Sequence, residues 1–169
     1  LAAALLAGAI VRGLAATIGL IFHARDDYFH VLSPALRWLE NPEFDWDHSD
    51  LPGAGIRSHL LPRLVWLLLK AEHGVGITDP TISLQIIYAI MGAYSLLLIP
   101  AAWALGRRVL DQRSTERLVW LCALFFVMPY AGTRLLIEAL AMPPLVYGLA
   151  WAVRPDARRL FFAGFWIGL

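Results

Sequence analysis

The chain has 169 residues, is 59% hydrophobic, and carries a formal net charge of +1 with a mean hydropathy of +0.63. Without basic runs interleaved with aromatics, this balance excludes an electrostatic nucleic-acid binder, and the lone cysteine, Cys122, excludes both a disulfide framework and a cysteine-based zinc site. The apolar residues are gathered into runs longer than a soluble core of this size requires, which predicts an all-α, multi-pass membrane protein.

In chain order, Leu1–Phe22 is long enough to cross the hydrocarbon, is interrupted only by Arg12, and reads as a retained anchor. We assign Arg12 no catalytic role; a snorkelling side chain or a pairing with another span accounts for it. A second span is expected over 80–105, with Asp79 as N-cap and Pro80 at the first helical position. A third is expected over 115–130, and a fourth over 135–153, bent at Pro143-Pro144. A fifth opens at 160. The missing initiator methionine and the apolar ending lead us to expect residues 1–169 to be the N-terminal part of one polytopic domain. Arg107, Arg108, Arg113 and Arg117 in one connection, and Arg154, Arg158 and Arg159 in the other, put 106–117 and 154–159 on the cytoplasmic side. Residues 23–79 then form a large extracytoplasmic loop.

That loop holds nine of the thirteen acidic residues and all five histidines, against five Lys or Arg. Within it, Tyr28, Val31, Leu32, Ala35, Trp38 and Leu39 form one apolar helical face, suited to a helix in the interface plane. Leu60–Lys70 is too short to span, and is expected to lie at the surface and end near Gly74.

Four clusters carry polar chemistry. Asp26-Asp27 stands where the first span leaves the membrane, and His30 lies four residues after Asp26. Adjacent carboxylates repel, so the pair serves either as a general base with its modulator or as a hydrated helix start. Ser58 can cap the following helix and leave Arg57 beside free amides, a seat for phosphate, although Arg57 pairing with loop acids explains it equally. Arg134 and Glu138, four apart, read as an internal helical pair or as the lining of a cavity. Phe44-Asp45-Trp46-Asp47-His48-Ser49-Asp50 could ligate a divalent metal or be a solvated loop.

Taken together, the acidic pair, the amphipathic helix, the aromatic-acid loop and Gly55-Ile56-Arg57-Ser58-His59-Leu60-Leu61-Pro62 resemble the first luminal loop of the dolichyl-phosphate-mannose-dependent α-mannosyltransferases of GPI-anchor and N-glycan assembly. Asp26, Phe29, Pro34, Ala35, Arg37 and Trp46 match the earlier motifs of that family, while Thr133, Arg134, Leu136, Ala141 and Pro143 match a later T-R-x-L-x-N and A-x-P stretch. Asp27, His30, Ser33, Asp47 and Glu138 depart from the family's residues.

The resemblance implies a GT-C membrane bundle with interfacial helices in its first extracytoplasmic loop. It implies an inverting transfer of a hexose, the family's mannose, from a polyprenyl- or dolichyl-phosphate donor to a glycan or glycolipid acceptor. Asp26 would be the base and Asp27 its partner, with Arg57, Ser58, Arg134, His30 and Glu138 around donor phosphate and substrate. No obligatory cofactor is expected, a divalent metal remaining the alternative. The expected location is a bacterial inner membrane or the endoplasmic reticulum. A transporter or channel, or a non-catalytic membrane subunit, is the competing class.

Overall fold

A computed structural model describes residues 1–18, 28–50, 58–153 and 161–165. The described residues are largely helical, with no strand among them, as the expected all-α class requires. In chain order the helices are α1 (Ala2–Ile18), α2 (Ser33–Glu40), α3 (Leu60–Gly74), α4 (Pro80–Ser95), α5 (Leu98–Val109), α6 (Gln112–Leu124), α7 (Val127–Gly132) and α8 (Ile137–Ala152). A π-helical turn, Tyr28–Leu32, leads into α2, whose second residue is Pro34.

Small residues face inward on α1, and large ones face outward. Ala4, Gly8, Arg12 and Ala16 are buried at four-residue spacing, whereas Leu6, Ile10, Leu14 and Ile18 are exposed. Water would favour the reverse arrangement; close backbone approach inside with aliphatic surface outside suits a lipid solvent. At Gly8 a Cβ would lie 2.7 Å from the Ile99 side chain, and at Gly132 2.6 Å from the Ser95 hydroxyl, so neither position has room for a methyl group.

Prolines set the helix breaks. A proline lacks the N–H owed to the carbonyl four residues earlier and crowds that carbonyl. Pro100 therefore loosens the chain at Leu96-Leu97, where tighter bonds such as Ile99 N–H to Leu96 O (3.0 Å) separate α4 from α5. Pro129 does the same at Phe125, which turns extended and accepts from Met128 N–H at 2.8 Å. The expected single span over 115–130 is thus two pieces, α6 and α7. By contrast, α8 runs through Pro143 and Pro144. The Leu140 carbonyl, which would have bonded Pro144, instead accepts the Tyr94 hydroxyl of α4 at 2.8 Å.

Asp79 caps α4 as expected, accepting from Thr81 N–H at 2.7 Å and Ile82 N–H at 3.3 Å. Gly74 ends α3, and Gly76 follows at φ 85, a backbone that favours glycine. Taken through the turn at Leu96-Leu97, Pro80–Val109 is the one rod among the described residues long and apolar enough to cross a membrane; α1 and α8 are shorter apolar helices.

Two apolar layers stack along α1. Ala4 packs with Leu98, Ile99 and Ala102 of α5 and with Val119, Cys122 and Ala123 of α6. Ala16 packs with Val31, Ala35, α3, Ile87 and Tyr88 of α4, and Leu135. Arg12 lies between the layers, 2% exposed. Its Nε donates to Ser95 Oγ (2.8 Å), Nη2 to Cys122 O (3.1 Å), and Nη1 to Ala123 O and Gly8 O (each 3.2 Å). The break after Leu124 deprives Cys122 and Ala123 of intrahelical donors, so the guanidinium caps the negative end of α6.

Arg12→Met strands these acceptors in an apolar interior and is expected to cost roughly 2–4 kcal/mol of stability. Chemical unfolding in detergent measures it, with Arg12→Lys falling between the two. A methionine variant within about 0.5 kcal/mol of wild type contradicts the capping role.

Candidate functional site

The layer around Ala16 gathers the loop helices and the start of α4 at one end of the bundle. Arg134 emerges there, between α7 and α8, beside Leu135 of that layer. It is 1% exposed, and its guanidinium lies 4.6 Å from the centres of both the Tyr88 and Tyr130 rings. Among the described residues neither its Nε nor its Nη1 has a hydrogen-bond partner. Thr133 beside it is fully buried, with its hydroxyl donating to Tyr130 O at 2.8 Å.

A buried cation is costly by several kcal/mol; a desolvated aromatic face returns roughly 2 kcal/mol or more, but Nε and Nη1 stay without hydrogen-bond partners among the described residues. The arrangement is therefore suited to an anion brought from elsewhere, which would gain two charge-assisted hydrogen bonds in a dry setting.

Glu138 does not share a helical face with Arg134. Leu136 is extended (φ −87, ψ 124), and α8 begins only after it, placing Glu138 in the first turn. A carboxylate there is favoured by the helix dipole. Glu138 is exposed and borders a cavity of about 200 Å³ with Arg12, Ser95 and Met128. The internal-pair reading of Arg134 and Glu138 is thereby corrected.

His30 is buried in the π-helical turn, next to Val31 of the same layer as Leu135. Ser58 is exposed and does not cap α3 as expected: the N-cap is His59, without a side-chain cap bond, and Ser58 Oγ only accepts from Leu60 N–H at 3.3 Å. Asp26, Asp27 and Arg57 lie outside the described residues.

In residues 44–50, Asp45 and Asp47 are hydrogen-bonded within the protein. Asp45 accepts from Asp47 N–H (3.1 Å) and bonds His48 (2.8 Å), and Asp47 bonds His59 (2.8 Å). The His48 hydrogen bond holds the Asp45 carboxyl below the usual carboxylate range. Among the described residues no three His, Cys, Asp or Glu side chains come together as metal ligands.

Tyr88, Tyr130 and His59 escape sequence reasoning as site residues, because an aromatic at helical spacing looks like ordinary core and His59 fills a variable motif position. A cavity of about 540 Å³ also lies between α2, α3 and α4, floored by Leu36, Leu69 and Leu84 and rimmed by Glu40, His73 and Thr81.

Arg134→Met is expected to leave the unliganded protein as stable as wild type or more so, because it removes a buried charge whose Nε and Nη1 have no hydrogen-bond partner among the described residues. Thermal unfolding checks this. A fall in Tm of several degrees would make Arg134 a structural residue instead.

Comparison with protein-family models, with curated proteins and with solved structures finds no match to this chain.

Proposed function

We propose that this chain belongs to a multi-pass membrane glycosyltransferase of GT-C type, which moves a hexose, mannose by its motifs, from a polyprenyl-phosphate donor to an extracytoplasmic glycan or glycolipid. The observation that carries the reading is Arg134: a buried guanidinium lacking a hydrogen-bond partner at Nε and Nη1 among the described residues, in the same apolar layer as the loop helices. A lipid phosphate is the anion a membrane-embedded protein meets most readily at such a position. The Gly55–Pro62 motif, with Arg57 and Ser58, adds a second basic candidate for the same anion on sequence grounds alone.

Membrane embedding is supported by the inverted polarity of α1 and by the Pro80–Val109 rod. At the far end of that rod the Arg107 guanidinium lies 4.7 Å from the Trp103 ring, and that of Arg108 5.4 Å from the Trp151 ring, a pattern suited to a cytoplasmic headgroup region.

In this reading Asp26 takes the proton of an acceptor hydroxyl as that oxygen bonds the anomeric carbon. The bond from that carbon to the phosphate oxygen breaks, and its electron pair leaves with the lipid phosphate. A single displacement inverts the configuration, so a β-linked donor gives an α-linked product. Arg57 and Arg134 stabilise the growing phosphate charge where water is scarce. Asp27, the adjacent carboxylate, tunes or orients Asp26 in this reading.

The test is mannosyl transfer from polyprenyl-phosphate-mannose by membranes carrying the full-length protein. Asp26→Asn, at matched expression, is expected to fall by roughly 10²–10⁴. Undiminished transfer in the variant would reject Asp26 as base while keeping the reaction. Absence of wild-type transfer from any lipid-phosphate sugar would reject the reaction itself.

A further inference from the structure

His59 and Asp47 make a preorganised polar pair that the reaction above does not use. Their contact, His59 Nε2 to Asp47 Oδ1 at 2.8 Å, ties the 44–50 turn to the residue before α3. The imidazole rests 4.8 Å from the Trp46 ring and 6.0 Å from that of Trp38, both of which are 1% exposed. Trp38 is itself fixed: its Nε1 donates to Phe44 O at 2.8 Å, and Arg63 stacks on it at 3.7 Å. Asp47 is fixed through the Asp45 turn, and the Ser49 hydroxyl closes that turn on Trp46 O at 2.7 Å.

The pair itself remains accessible, with side chains 39% and 46% exposed. An exposed pair of this kind adds little to stability. Its effect is on orientation: with Asp47 ionised, Nε2 carries the hydrogen and donates, which leaves the Nδ1 lone pair as an acceptor. A rigid imidazole acceptor on an aromatic floor, with a carboxylate beside it, matches a neutral ligand rich in hydroxyls and disfavours an anion. It stands two residues after Arg57, within the same Gly55–Pro62 motif.

We propose that His59, positioned by Asp47, accepts a hydrogen bond from a hydroxyl of the acceptor sugar and so helps to select the acceptor. The proposal rests on the glycosyltransferase reading. His59 is a binding residue, and Asp47 is its positioning residue.

Two conservative variants of the full-length protein separate the roles. His59→Gln keeps a donor towards Asp47 and loses the Nδ1 acceptor. His59→Asn keeps an acceptor near Nδ1 and loses the reach to Asp47. In steady-state transfer, His59→Gln is expected to raise the acceptor KM about tenfold, with donor KM and kcat nearly unchanged, and His59→Asn to be milder. An unchanged acceptor KM in His59→Gln, or a fall in kcat with both KM values constant, overturns the proposal while leaving the reaction intact.

Should wild type transfer no sugar, the reaction reading fails separately. Binding of short mannose oligosaccharides, followed by tryptophan fluorescence in wild type and His59→Gln, then decides the site. Binding weakened by the variant supports it, and equal or absent binding overturns it.

Discussion

The bundle depends on Arg12. A guanidinium in an apolar interior is tolerable only when its donors are satisfied, and here three elements supply acceptors: Gly8 of α1, Ser95 of α4, and the last-turn carbonyls of α6. Each partner also solves a problem of its own. The α6 carbonyls are orphaned by the break before Pro129, and the Ser95 hydroxyl, which accepts from Arg12, donates onward to Gly92 O at 2.9 Å. Satisfying one set of groups satisfies the other. The close approach this demands explains why Gly8 and Gly132 border the network.

Proline organises the remainder by the same logic. Pro100, Pro129 and Pro144 each leave a carbonyl without its usual donor, and that carbonyl is met in one of two ways. Either the chain tightens locally, as at Leu96 and Phe125, or a side chain from a neighbour arrives, as Tyr94 does at Leu140. The first route breaks a helix; the second ties two helices together. Proline positions thus bear on both helix length and helix adjacency.

Much of the helix punctuation was legible in the residues. Asp79-Pro80 and Gly74 act through local chemistry, and each behaves as its type predicts, whereas the cap expected of Ser58 falls to His59, which makes no side-chain cap bond. The apolar face from Val31 to Trp38 was readable too, because Val31, Ala35 and Trp38 are buried as their spacing requires. What the chain could not display were long-range partners. The four-residue interval between Arg134 and Glu138 suggested one helical face, yet the extended backbone at Leu136 interrupts it. Nothing near Arg12 in sequence announces Cys122 or Ala123, more than a hundred residues away. Nor does the 44–50 turn announce His59, since that contact depends on how two tryptophans stack.

Arg12 and Arg134 are the same residue type at nearly the same burial, and their surroundings differ. Arg12 is bonded through all three nitrogens, so its charge serves the fold. Arg134 is held by the Tyr88 and Tyr130 rings with Nε and Nη1 lacking hydrogen-bond partners among the described residues, so its charge is available to a ligand. The most direct test of that claim is thermal stabilisation of the purified full-length protein by a polyprenyl phosphate, set against the matching polyprenol. The account predicts that the phosphate raises Tm in wild type, that the polyprenol does not, and that Arg134→Met abolishes the difference. Equal stabilisation by both lipids, or a phosphate effect that survives the substitution, would contradict it.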